Sequence, residues 1–167
     1  VSVSIFDLRQ EEGILSLKRL HAVSDTMAAL QTLDTPGNDV LEDWDLPRAQ
    51  RVFDQAKAEL ERFHAASTEA FSGDPALLAE YTEAMSGLPT MIERTGGVFA
   101  AVERRQEAQQ SHDDRGVQKA SNDAAVAMAQ MDQAFTQMNT RLRAMQVQAT
   151  QRAEASLNDG GKALVRT

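Results

Sequence analysis

Two heptad stripes constrain this chain more than any other feature. Leu78, Tyr81, Met85, Leu88, Ile92, Thr95, Phe99 and Val102 step 3-4-3-4-3-4-3, and Ala124, Met128, Met131, Phe135, Met138, Leu142, Met145 and Ala149 step 4-3-4-3-4-3-4. Side chains at that spacing share one helix face, and a heptad period packs helical rods at shallow angles of about 20°. Ala, Gln, Glu, Arg, Leu and Met dominate the remainder, and only 4 Pro and 9 Gly interrupt them. All six are good helix formers, so the composition argues for long helices and against a sheet.

Helix one is predicted from about Ser4 to Leu33, with Leu20, Val23, Met27 and Leu30 on one face and Ile5, Leu8, Leu15 and Leu17 nearer its start. Asp34-Thr35-Pro36-Gly37 is expected to stop it, because Pro disfavours helix in the residue before it and Gly favours a turn. Asn38 or Asp39 then caps a short helical stretch through Trp44, and Asp45-Leu46-Pro47 starts helix two. Its stripe is read as Val52, Ala56, Leu60, Phe63, Ser67 and Ala70, ending at Gly73-Asp74-Pro75. The register of helix three runs unbroken past Pro89 and Gly96-Gly97, which predicts one long helix kinked near Pro89. After the turn Ser111-His112-Asp113-Asp114, helix four is predicted from about Arg115 to Leu157, with Gly160-Gly161 as its fraying end. Short connections force neighbouring rods to run antiparallel. The expected fold is all-α: an antiparallel up-down-up-down four-helix bundle with long helices and a short extra helix between helices one and two. It spans residues 1–167 as one domain, with both chain ends at the same tip.

Charge narrows the partners. The net charge is −8, and the bases alternate with acids, as in Glu103-Arg104-Arg105-Gln106-Glu107. No dense basic face is available for phosphate, so nucleic acid is not an expected partner. The absence of Cys excludes disulfides and thiolate chemistry. No apolar run approaches the roughly 20 residues of a membrane span, and no signal peptide is visible. The chain starts inside a helical pattern and reads as a fragment of a longer protein.

No catalytic or metal constellation emerges. His21, His64 and His112 lie on different segments, and His112-Asp113-Asp114 lacks a second His at helical spacing. Glu11-Glu12 and Glu42-Asp43 are adjacent in sequence and diverge on a helix, so they do not form an acid-base pair. Gly96-Gly97 follows no strand and makes no phosphate loop. The methionines Met128, Met131, Met138 and Met145 read as adaptable core rather than haem ligands. The domain is therefore expected to be non-catalytic, with no cofactor and no metal. A ligand pocket in a bundle needs a few polar groups among apolar ones. The candidates are His21, Ser24, Arg94, Thr95, Gly97 and Met128, placed between helices one, three and four. Space is expected there because the Asp34–Pro47 segment is read as a wide connection. The competing reading is a dry core with its polar groups satisfied internally.

The helix order, together with Thr35-Pro36-Gly37-Asn38-Asp39-Val40-Leu41-Glu42-Asp43-Trp44-Asp45, resembles the extracytoplasmic four-helix-bundle sensor domains of bacterial transmembrane receptors. The resemblance implies a periplasmic input domain of an inner-membrane protein, foremost a sensor histidine kinase and next a methyl-accepting chemotaxis receptor or a cyclase. It implies that helices one and four continue into membrane spans and pair in a homodimer. The stimulus would be a small molecule or a periplasmic partner protein, transmitted by helix movement. Family members grip ligands with arginines, but no motif here places that role on Arg19, Arg48 or Arg94. A soluble helical interaction protein without a membrane tether is the alternative.

Overall fold

The computed structural model describes residues 5–165, with side chains described for all of these except 6, 9 and 160–165. Among the described residues every regular element is an α-helix: α1 Ile5–Asp43, α2 Leu46–Phe71, α3 Pro75–Ala84, α4 Leu88–Gln110 and α5 Asp114–Val165. None of these helices is long and apolar enough to cross a membrane. The longest, α5, packs along both α1 and α4, and α1 also packs along α2.

The first helix departs most from expectation. It does not stop at Leu33 but runs on through Pro36 to Asp43, so the short extra helix is the end of α1. The reason is a continuing core register. Val23, Thr26, Leu30, Leu33, Gly37 and Val40 step 3-4-3-4-3 and are all buried. Proline costs a helix interior about 3 kcal/mol and glycine about 1 kcal/mol. Side-chain donors support the carbonyls around the proline. Thr35 Oγ1 donates to the Gln31 carbonyl at 3.1 Å and Asn38 Nδ2 to the Asp34 carbonyl at 3.0 Å. Gly37 permits close approach, since a Cβ there would stand 2.6 Å from Met131 Sδ. The predicted start at Ser4 lies outside the described residues.

Only Trp44 and Asp45 connect α1 to α2, where a wide, space-leaving segment was expected. Trp44 takes a left-handed conformation (φ 57°), unusual for a bulky residue. It is held by Arg105, whose guanidinium lies 3.6 Å over the indole, and by Gln106 Nε2, which donates to the Trp44 carbonyl at 3.0 Å. Asp45 caps α2 by accepting from Arg48 N at 3.2 Å, with Pro47 in the first turn. Ala56, Leu60, Ser67 and Ala70 of the stripe read in sequence are buried and Phe63 packs on the core, whereas Val52 is exposed and Ala49 and Phe53 are buried at that end instead. Asp74 caps α3 through Leu77 N at 3.1 Å, with Pro75 at the helix start.

The predicted single third helix is two helices. Residues 85–87 form a non-helical turn between α3 and α4. Pro89 sits in the first turn of α4, where its missing N–H costs nothing. The Glu83 carbonyl exposed by the break accepts from Ser86 Oγ at 2.7 Å and from Arg141 Nη1 of α5 at 3.1 Å. The heptad face nevertheless stays in register across the break: Tyr81, Met85, Thr95, Phe99 and Val102 are all buried.

At the α4–α5 turn, His112 is left-handed (φ 54°). His112 N donates to the Gln109 carbonyl at 3.2 Å and Asp113 N to the Ala108 carbonyl at 2.8 Å, a Schellman ending. Asp113 Oδ1 then accepts from Gly116 N at 3.0 Å and caps α5. That helix does not fray at Gly160-Gly161 but continues to Val165.

Candidate functional site

The sequence candidates do not converge on one cavity. His21 and Arg94 are exposed. Ser24 is half-buried on α1, where its Oγ accepts from Gln146 Nε2 of α5 at 2.9 Å. Thr95 is fully buried, but its hydroxyl is satisfied by the Met91 carbonyl at 2.8 Å. A Cβ on Gly97 would meet Ala127 Cβ at 3.6 Å, so this glycine lies where α4 and α5 touch. Met128 is half-buried and packs on the core. The space expected beside Thr95 is taken by neighbours, since Thr95 Cγ2 and the end of Met131 both crowd Gly37.

Among the described residues, concavities lie elsewhere, and three of them are as follows. One has about 20 Å³, between Arg19, Phe71, Met145 and Arg152. That is room for about one water. A shallow cleft of about 110 Å³ lies between α1 and α2 near Pro36, Asp39 and Arg48. An open groove of about 490 Å³ follows the α4–α5 turn, lined by Arg104, Glu107, Asp113, Lys119 and Asp123. None of the three is lined by a sequence candidate. Among the described residues, no group of three or more His, Asp or Glu stands together in a way that could hold a metal ion.

Two polar networks lie inside the helical contacts. In the first, Thr26 Oγ1 donates to the Ala22 carbonyl at 2.8 Å and lies 2.8 Å from Ser67 Oγ. Tyr81 is fully buried, and its hydroxyl lies 2.7 Å from His64 Nδ1. Burial pushes the Tyr81 phenol up, against the opposing hydrogen bonds of Ser67 and Thr26. This network is satisfied and ties α1, α2 and α3 together.

The second network is chemically less settled. Asp34 and Asn38 stand one helical turn apart on α1, on either side of Pro36-Gly37, and face Asp132 of α5. The Asn38 amide nitrogen donates to the Asp34 main-chain carbonyl at 3.0 Å, to Asp34 Oδ2 at 3.3 Å and to Asp132 Oδ1 at 3.1 Å. Two carboxyl groups from different helices therefore share one amide. With both carboxyl groups charged, Asp34 Oδ1 is buried and accepts no hydrogen bond. Desolvation first, then the neighbouring Asp132 charge and a hydrogen bond to Asp132, push the Asp34 carboxyl up from 3.8 to about 7; the Asn38 amide opposes this. The arrangement can hold a proton near neutral pH. In sequence Asp34 reads as part of a helix stop and Asn38 as the cap of a short helical stretch, and Asp132 does not stand out. The available signal was the spacing of Asp34 and Asn38 by four residues within a register that continues to Val40.

Comparison with known proteins returns no matching family model, no matching curated protein and no matching solved structure.

Proposed function

We propose that the helices form an antiparallel up-down-up-down bundle, with α3 and α4 together making one rod. We further propose that this bundle is the periplasmic input domain of a bacterial inner-membrane receptor, a sensor histidine kinase foremost and a chemoreceptor second. The order of cross-helix contacts supports the first part. Arg19 meets Ala70 while Thr26 meets Ser67, and Ser24 meets Gln146 while Asn38 meets Asp132.

The observation that carries the receptor reading is the pairing of the terminal helices. Gly13 of α1 stands against Ser156 of α5, with a would-be Cβ at 3.7 Å. This contact lies beyond the level where α2 reaches its end beside Arg19. Both terminal helices thus leave the other elements side by side, as two membrane-bound rods must. On that extension Ile5, Leu8, Ile14, Leu15, Leu17 and Leu157 are exposed, which suits a homodimer through α1 and α5. In this reading the domain performs no chemistry. A small molecule or a periplasmic partner favours one arrangement of α1 against α5 over another, and their displacement is the signal. The ligand contacts proposed from sequence, His21, Ser24, Arg94, Thr95, Gly97 and Met128, remain proposals of this reading.

The test uses the intact parent protein. Cysteines at exposed Gln10 and Gln151 should react with a membrane-impermeant maleimide from the periplasmic side of spheroplasts. An apolar span of about 20 residues should flank the domain on each side. Reaction only after the inner membrane is permeabilised, or long polar flanks, overturns the reading. The exposed apolar positions Ile14, Val126 and Val147 also favour a second reading, a soluble helical interaction protein. Strong binding of an apolar dye to the isolated chain, together with polar flanks, would select it.

A further inference from the structure

We propose that Asp34, Asn38 and Asp132 form a proton-operated clasp between α1 and α5, closed while a proton bridges the two carboxyl groups and loosened when it leaves.

The geometry carries this. One amide nitrogen serves three oxygens at 3.0–3.3 Å, two of them on opposing carboxyl groups. An amide nitrogen has two hydrogens, so it cannot satisfy both carboxyl groups fully in their charged forms. Asp34 Oδ1 is shut away from water with no partner, a costly state for a charged oxygen. A proton on Asp34 resolves both problems, because the carboxyl group then donates to Asp132 across the helix contact. The field at Asp34 has few sources. From α5 the facing charge is Asp132, and α1 itself supplies the Asn38 amide. The influences on the Asp34 carboxyl are burial, Asp132 and Asn38, and none of them comes from α2, α3 or α4.

The clasp also sits at the point of α1 best able to yield. Pro36 offers no N–H to the Thr32 carbonyl, so one main-chain hydrogen bond is missing in the turn that carries Asp34. The close approach at Gly37 and Met131 lies beside it. When the proton is lost, two like charges share one amide in a half-buried seam. Separation of α1 from α5 at the level of Asp34 and Asp132 relieves that repulsion. The balance is simple: Asp34 gives its proton to solvent, and the Asp34–Asp132 hydrogen bond is replaced by hydration of both carboxylates. The clasp rests on these contacts and not on the receptor reading. A clasp without membrane spans, or spans without a clasp, separates the two outcomes.

The chain has no Cys, so paired spin labels can be placed cleanly. Glu42→Cys and Ala129→Cys put labels at exposed positions near the clasp; Asp25→Cys and Arg143→Cys make a control pair on the same helices near the Ser24–Gln146 contact. Distances are measured at about pH 5 and about pH 9, two units either side of the midpoint of about 7. The clasp pair should lengthen or broaden at the higher pH while the control pair stays fixed, and Asp34→Asn, which keeps a donor toward Asp132, should hold the low-pH distance at both. An unchanged clasp pair, equal movement of the control pair, or a pH response in Asp34→Asn equal to that of the unsubstituted chain overturns the proposal. A carboxyl-carbon NMR titration of the unsubstituted chain gives a measurement free of variants. A midpoint for Asp34 near 7 is expected, and one near 3.8 overturns it.

Discussion

The raised Asp34 carboxyl makes a thermodynamic prediction that can be worked through with its sign. Asp34 takes its proton near 3.8 in the unfolded chain and near 7 in the folded one. Between those values the folded state binds more protons than the unfolded state. The contribution of this group to stability is therefore greatest at low pH and declines as pH rises through about 7. At face value the difference is about 4 kcal/mol. Asp34 is only half-buried, and solvent screening reduces this to ~2 kcal/mol. About two thirds of the decline lies between pH 5 and pH 8, or ~1 kcal/mol. Many other carboxylates titrate on the same chain, so the measurable quantity is the difference between the unsubstituted protein and Asp34→Asn. Urea unfolding at the two pH values should show the Asp34→Asn variant gaining on the unsubstituted protein by ~1 kcal/mol as pH rises, or about 0.5 M in midpoint at a slope of ~2 kcal/mol/M. An advantage of the variant that stays flat with pH, or shrinks, refutes the reasoning.

Three further substitutions test the packing. Leu142→Ala, at a fully buried position of α5, should cost about 2–5 kcal/mol, read as a lower urea midpoint with retained helical signal. Asp74→Ala removes the cap on Leu77 N and should cost about 1 kcal/mol, lowering the melting temperature by about 2–4 °C. Gly97→Leu should destabilise by about 1–3 kcal/mol in thermal unfolding, because the side chain meets Ala127 of α5 rather than an open cavity.

The two prolines show how far the sequence could be read. A continuous heptad register argues for one helix through Pro89, whereas the Asp34-Thr35-Pro36-Gly37 run argues for a stop at Pro36. The structure reverses both outcomes. At Pro36 the buried positions Leu33, Gly37 and Val40 continue the face and the helix persists. At Pro89 the face also continues, but the chain breaks one turn earlier, and Arg141 and Ser86 take up the Glu83 carbonyl. Register therefore reports which side of a rod faces the core. It does not report whether the backbone inside that rod is unbroken. At the α3–α4 break a donor to the exposed Glu83 carbonyl comes from Arg141, which lies 58 residues away. Caps are local by contrast: Asp45, Asp74 and Asp113 each act within three residues of the amide they serve.

The same distinction governs the candidate site. His21, Ser24, Arg94, Thr95, Gly97 and Met128 were chosen as polar or small groups beside a core stripe, on the expectation of a wide opening after Leu33. Once α1 continues to Asp43, the opening disappears, and Met131 occupies the level of Gly37 and Thr95. The continuation also creates what the sequence reading lacked. In a turn, Asp34 and Asn38 would be separate capping residues in water. On one helix they become neighbours on one face, and α5 brings Asp132 against them. A single misread boundary thus removed one expected pocket and hid a carboxyl pair. The functional consequence follows from placement: the pair joins α1 to α5, the two helices whose relative movement the receptor reading requires. A proton held there changes the energy of that contact itself, so pH would bias the proposed signalling coordinate without any ligand cavity.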